Sequence, residues 1–178
     1  MPSNVSVNDH GTGLTLTYRW YSPRYIFLFL FCIFWDGFLF VWYHQAFSTN
    51  APLASILFPL IHVAVGIGIT YYTIAGFLNK TIVEVSREGL TIYHTPLPWF
   101  GNKTVPVTDI AQLYREEIIS QSNNRTRVSY RLSAVSKDNK KIKLLGGIET
   151  ADIALFLEQE IEKWLGIKDV KVVGEMQK

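Results

Sequence analysis

The chain has 178 residues, of which 48% are hydrophobic, 14% aromatic and only 18% charged, whereas soluble domains carry roughly 25% charged residues. This length and composition exclude a disordered chain and a multidomain enzyme. The formal net charge of +2 is far from the strongly basic balance of a nucleic-acid-binding protein, and the single cysteine, Cys32, excludes an intrachain disulfide and a cysteine-based metal site.

Two long apolar runs follow a polar N-terminal segment, residues 1–18, which we predict to be a tail. Residues 25–43 contain one charged side chain, Asp36, and residues 52–78 contain none. A helix needs about 20 predominantly apolar residues to cross a bilayer, so each run predicts a transmembrane helix. A signal peptide is the alternative for the first run. That run is longer than the usual apolar region of about 7 to 15 residues, and it lacks a small-residue cleavage site.

The connection between the runs is short and polar, and it predicts an antiparallel transmembrane hairpin over residues 19–78. Arg19 and Arg24 precede the first run, Lys80 and Arg87 follow the second, and the connection contains neither lysine nor arginine. Positive residues mark the cytoplasmic side of a membrane protein. Both termini are therefore expected to be cytoplasmic.

After residue 78 the pattern changes to alternation of apolar and polar residues, which is typical of β-strands. Six strands are predicted, at residues 81–86, 90–94, 103–107, 110–119, 127–135 and 140–145. We expect Gly146 and Gly147 to break the chain after the last strand.

An amphipathic helix is predicted over residues 150–165, with Gly166 as its stop. Antiparallel strands followed by one helix indicate an α+β domain, and the order matches that of a domain resembling pleckstrin-homology (PH) domains. We therefore predict a PH-like bent sheet or partial barrel over residues 79–167, capped by the helix, and a C-terminal tail over residues 168–178.

Five segments spread along the chain carry a family resemblance. They are Arg19-Trp20, FWDGF at 34–38, FPLIHVAVG at 58–66, PLPW at 96–99 and QLY at 112–114. In these the chain resembles bacterial two-span membrane proteins with a small PH-like cytoplasmic domain. It is also similar to cyanobacterial thylakoid proteins of this size that accompany photosystem II assembly. The resemblance implies a bacterial inner membrane or a thylakoid membrane, and it carries no catalytic motif.

Asp36 is the most informative single residue, because a carboxylate at the centre of a transmembrane helix costs about 2.5 to 3.5 kcal/mol on insertion scales. Counting about 1.5 Å per residue along each helix gives Asp36 and His62 similar depths, so we expect a hydrogen bond between them. A carboxylate that snorkels or bonds locally is the alternative, and a proton relay is a third. His62 could instead ligate a chlorophyll or haem, and no other cofactor is predicted.

The second run also contains small residues at helical spacing. Ala64 and Gly68 form one small-xxx-small pair, and Gly66 and Thr70 form another. Such pairs let two helices approach closely. The partner helix is either the first span or a helix of another protein.

Charge is uneven in the C-terminal domain. Residues 103–147 contain nine basic and four acidic side chains, whereas residues 148–164 contain five acidic and one basic. A basic sheet beside a membrane could contact anionic lipid or a partner protein, and an ordinary solvated surface is the alternative. The candidate contact residues are Trp99, Phe100, Arg125, Arg127, Arg131, Lys140, Lys141 and Lys143. The Trp99-Phe100 loop either exposes its rings or folds back over the sheet.

No motif for nucleophilic, phosphate, dinucleotide or metal chemistry is present. We therefore expect a non-enzymatic accessory or assembly factor that docks its hairpin and PH-like domain on a larger membrane complex, with a photosystem II assembly intermediate as one candidate. A module that binds anionic lipid surfaces is the second hypothesis. A small transporter or channel subunit, resting on Asp36 alone, is the third. No nucleic acid or small-molecule substrate is expected.

Overall fold

The computed structural model describes residues 2–122 and 125–168. They form two compact units. The described residues up to Arg19 and from Lys80 onward make the sheet unit, and Trp20–Asn79 makes the helical unit. Apart from Lys168, the predicted C-terminal tail lies outside the described residues.

The helical unit contains α1 (Arg24–Ser48), α2 (Leu53–Leu57) and α3 (Leu60–Leu78). By length and composition, α1 and the stretch Leu53–Leu78 could each cross a membrane. The second predicted span is interrupted at Pro59, which has no backbone N–H and whose ring clashes with the preceding helical turn.

The two long helices pack along one seam. Four residues of α1 are buried, and they recur every seven positions: Tyr25, Cys32, Leu39 and Ala46. A seven-residue repeat of buried positions is typical of a left-handed helix pair. Near one end of the seam the Tyr25 ring packs against Gly76, and near the other the Tyr43 hydroxyl donates to the Ile56 carbonyl at 3.1 Å. The helices are therefore antiparallel.

The first five strands of the sheet unit form one antiparallel sheet in chain order. They are β1 (Val5–Asp9), β2 (Gly13–Arg19), β3 (Lys80–Ser86), β4 (Gly89–Thr95) and β5 (Lys103–Pro106). The prediction of an N-terminal tail over residues 1–18 is wrong, because Leu14, Leu16 and Tyr18 on β2 are buried in the core of this sheet.

The strand β2 pairs with β3 along its whole length, from Gly13 opposite Ser86 to Arg19 opposite Lys80. These two strands are neighbours in the sheet but are separated in the chain by the entire helical unit. The helical unit is thus an insertion between two paired strands.

The last three strands form a second antiparallel sheet in the order β6 (Ile110–Ser122), β7 (Arg125–Ser136) and β8 (Lys141–Ile148). The six strands predicted from the sequence are all present. The expected break at Gly146 and Gly147 is absent, because β8 continues through them. Tyr130 pairs with Ile148 and Leu132 with Leu145, so the glycines lie at a bulge, where Gly147 adopts a φ of 72°.

The helix α4 (Ala151–Leu165) follows the second sheet and packs against its three strands. The Thr150 hydroxyl caps its first turn by accepting from the Ile153 N–H at 3.4 Å, and Gly166 ends it with a φ of 67°. Antiparallel sheets followed by one helix confirm the α+β layout.

Candidate functional site

Asp36 lies on the face of α1 that meets α3. Its Oδ2 accepts a hydrogen bond of 2.9 Å from the Thr70 hydroxyl. Gly66 lies at the same level, and a Cβ added there would approach Asp36 Oδ1 to 2.9 Å. The absence of a side chain at Gly66 therefore lets the carboxylate lie directly against the backbone of α3.

The predicted hydrogen bond between Asp36 and His62 does not form. His62 lies one helical turn from Gly66, toward the connection between the helices, and its ring stacks on Trp35 with centroids 5.8 Å apart. Its Nδ1 is buried and has no hydrogen-bond partner among the described residues. Depth alone gave a false pairing because the helix faces differ. The side chain of Asp36 reaches Thr70, whereas the ring of His62 stacks on Trp35, the residue before Asp36.

Two aromatic rings contact His62. Besides the stacked Trp35, the Phe58 ring lies 5.6 Å from the imidazole, and Trp35 Nε1 donates to the His62 carbonyl at 3.2 Å. These contacts account for the half-buried position of the ring. Among the described residues no group of three or more His, Cys, Asp or Glu side chains could hold a metal ion.

A groove of about 560 Å³ opens between α1 and α3 beside Asp36 and Thr70. Its walls are almost entirely apolar or aromatic, and they include Leu39, Phe40, Tyr43, Ile67, Tyr71 and Ile74. Among the residues that the structure describes, Asp36 is the one charged side chain that lines it. The groove therefore presents an apolar trough with one carboxylate.

The two small-residue pairs of α3 face different directions. Gly66 and Thr70 face α1, as the contacts with Asp36 show, and they are part of the helix seam. Ala64 and Gly68 are exposed, and a Cβ added at Gly68 would meet nothing within 4 Å. Of these two pairs, Gly66 and Thr70 pack against α1, whereas Ala64 and Gly68 do not contribute to the seam.

The seam has further members that were not predicted. The Cys32 thiol contacts the Thr73 hydroxyl at 3.6 Å, and the Tyr25 ring covers Gly76. Together, Gly66, Thr70, Thr73 and Gly76 follow a spacing of three or four residues along α3. This spacing of small and hydroxyl side chains is visible in the sequence and is the signal that could have identified the seam.

Two of the candidate basic residues in the sheet unit are paired with an acidic side chain. Arg131 and Lys141 both pair with the buried carboxylate of Glu116, Arg131 at 3.7 Å. The hydrogen bond to Glu116 raises the pKa of Lys141. Arg127, Lys140 and Lys143 are exposed, whereas the Arg125 side chain lies outside what the structure describes.

The loop after β4 separates its two aromatic residues. Phe100 is 91% exposed, whereas Trp99 is half-buried. At the start of the loop, the backbone N–H of His94 donates to Asn102 Oδ1 at 3.0 Å. The ring Nδ1 of His94 lies 3.0 Å from the Thr81 hydroxyl. Burial lowers the pKa of His94, and a hydrogen bond with the Phe100 backbone opposes this shift.

Two acidic residues of α4, which the sequence analysis did not single out, are buried against β6. Glu158 pairs with Arg115 at 2.5 Å, with both side chains 3% exposed. Glu162 accepts from Gln112 Nε2 at 2.8 Å. Their i, i+4 spacing beside Leu157 and Ile161 was the available signal for a buried polar stripe.

A scan against protein-family models and a search of curated proteins both found no match for this chain.

Proposed function

We propose that the chain is a non-enzymatic, two-span integral membrane protein that acts as an accessory or assembly factor on a larger membrane protein complex. Its helical hairpin would dock in the bilayer. Its PH-like domain would contact the cytoplasmic side of the same complex. The antiparallel sheets and the helix α4 support the PH-like assignment.

The observation that carries this proposal is the exposure of the helical unit. Apart from the seam, α1 and α3 present large apolar side chains outward, among them Phe27, Phe34 and Phe40, each more than 70% exposed. Such surfaces are stable only in lipid or against other proteins. Asp36 adds a carboxylate on the same helical pair, and intramembrane carboxylates usually face a partner or a cavity.

The cytoplasmic location of both termini is part of the proposal. It is supported by the arginines and lysines that flank the hairpin and by their absence from the connection. Association with photosystem II assembly intermediates rests on the family resemblance alone. The same resemblance makes a thylakoid membrane, beside a bacterial inner membrane, one of the two membrane systems to examine.

Purification from native membranes tests this function. A tagged chain, extracted in a mild detergent after chemical cross-linking of the membranes, should migrate on a native gel with a membrane protein complex at fixed stoichiometry. A chain that migrates alone after cross-linking would overturn the proposal.

Binding to anionic lipid is the second candidate function, and the exposure of Phe100 favours it. A ring that is 91% exposed at a loop tip can insert at a bilayer interface. A fluorophore attached to Phe100→Cys, in a Cys32→Ser background, should shift to the blue when the protein is reconstituted with anionic instead of zwitterionic lipid. The same fluorophore on Lys140→Cys is the control, and equal spectra in both lipids would contradict this role.

A further inference from the structure

The carboxylate of Asp36 is incompletely paired by this chain. Among the described residues, its one hydrogen bond comes from Thr70 and reaches Oδ2. The other oxygen, Oδ1, lies against the Gly66 backbone, and the nearby Trp35 Nε1–H donates instead to the His62 carbonyl. An ionised carboxylate in an apolar environment requires further donors or a counter-charge, so a second group is needed to stabilise an ionised Asp36.

The lining of the groove limits which kind of group can reach the carboxylate of Asp36. It opens outward between α1 and α3, and Phe40, Ile67 and Tyr71 line its apolar walls beside the carboxylate. An apolar stem ending in a cationic head fits these surroundings, because lysine and arginine place alkyl chains along apolar surfaces and carry the charge at the tip. The charge of Asp36 selects a cation over a neutral donor.

A second copy of this chain has no lysine or arginine to supply at the depth of Asp36. Between residues 25 and 79 the sequence contains neither residue, and its only other basic side chains there are His44 and His62. Arg24 and Lys80 flank this range, and Arg24 lies twelve residues from Asp36, about 18 Å along a helix. A lysine or arginine at this depth therefore has to come from a different protein.

We propose that the Asp36–Thr70 groove is the docking site for a transmembrane helix of a partner protein that carries a lysine or arginine at the depth of Asp36. This inference rests on the proposed function and specifies the chemistry of the partner. In the docked state the cationic head pairs with the carboxylate. Thr70 keeps its hydrogen bond to Oδ2, and the partner's alkyl stem packs against the groove walls.

A model helix tests this pairing directly. The full chain is reconstituted in phosphatidylcholine vesicles with a synthetic poly-leucine transmembrane peptide that has one central lysine, and association is measured by energy transfer between labels. The reference peptide has leucine at that position. We expect the lysine peptide to associate with the chain about tenfold more tightly than the leucine peptide.

Two variants make the test specific. Asp36→Asn retains an oxygen that accepts from Thr70 but removes the charge, so it should abolish the preference for lysine. Phe34→Leu, outside the groove, should keep it. Circular dichroism and thermal unfolding of each variant establish that the helical pair is intact. Equal association of both peptides with the wild type, or a lysine preference that survives Asp36→Asn, would overturn the proposal.

The remaining outcomes are also decisive. Self-association that depends on Asp36 and excludes both peptides would assign the groove to a second copy and overturn the proposal. A native complex that survives Asp36→Asn would leave the proposed accessory function standing and overturn this docking site. If the wild type forms no native complex, the accessory function fails, while the peptide preference still decides whether the groove binds a basic helix.

Discussion

The guanidinium of Arg115 and the carboxylate of Glu158 lie 2.5 Å apart, and each side chain is only 3% exposed. This pair joins β6 to α4 inside the sheet unit. Because removing one partner leaves a buried charge without its counter-ion, Glu158→Gln should destabilise the sheet unit by about 3 to 5 kcal/mol. Amide hydrogen exchange of α4 in the full-length protein measures this loss.

The double variant Arg115→Met with Glu158→Leu provides the control. It removes both charges and fills the space with apolar groups, so its stability should equal or exceed that of the wild type. A double variant as unstable as Glu158→Gln would show that the pair has a role beyond mutual neutralisation.

Gly76 and Gly68, both on α3, offer a matched pair of substitutions. A Cβ at Gly76 would collide with the Tyr25 ring, whereas a Cβ at Gly68 would meet nothing within 4 Å. Gly76→Ala should therefore destabilise the helix pair by about 1 to 3 kcal/mol. Gly68→Ala should be neutral or slightly stabilising, since alanine favours helix. Unfolding in mixed micelles of increasing SDS content measures the stability of both variants. Similar unfolding midpoints for the two would contradict the close packing of Tyr25 on Gly76.

The burial of His94 predicts that the stability of the sheet unit depends on pH. Burial lowers the pKa of His94 in the folded state, so the unfolded chain binds a proton more readily. The neutral form of His94 therefore favours the folded state. This contribution to the free energy of unfolding is complete above the unfolded-state pKa of about 6.5, and it is lost as the pH falls toward the lower folded-state pKa. The variant His94→Gln should show a flatter profile in this range. Thermal unfolding of both proteins between pH 7.5 and about 5 tests this, and parallel profiles would exclude His94 as the cause.

The proposed topology predicts which cysteines a membrane-impermeant reagent can label. When the chain is expressed in a bacterial inner membrane, in a Cys32→Ser background, Thr49→Cys between α1 and α2 should react from outside intact cells. Gln159→Cys, exposed on α4, should react only after the cells are opened. Reaction of Gln159→Cys in intact cells would invert the proposed orientation.

Much of the fold could be predicted because its signals are local. Alternation identified the strands of the C-terminal part, and the spacing of Ile153, Leu157 and Ile161 identified α4. The strand β2 was missed although Leu14, Leu16 and Tyr18 alternate in the same way. The interrupting threonines and the short length of the segment resembled a polar tail, and its partner strand lies more than sixty residues away in the chain.

The polar site could be predicted only in part. Asp36 stood out because of its charge, and Gly66 and Thr70 because of their small side chains. Their assembly into one contact depends on how α1 and α3 rotate about their axes, and residue depth does not determine that rotation. The helix is also interrupted between Leu57 and Leu60, so a count of about 1.5 Å per residue along residues 52–78 does not give the position of His62. For these two reasons the predicted Asp36–His62 pair is wrong, and His62 contacts Trp35.

The pairing of β2 with β3 has a consequence for biosynthesis. The ribosome completes β2 first, and β3 emerges only after both long helices have been made. If the chain spans a membrane as proposed, a second helix that failed to insert would leave β3 on the opposite side of the bilayer, and β2 would have no neighbour on that edge. In that topology, closure of the first sheet would require that both helices have crossed the membrane.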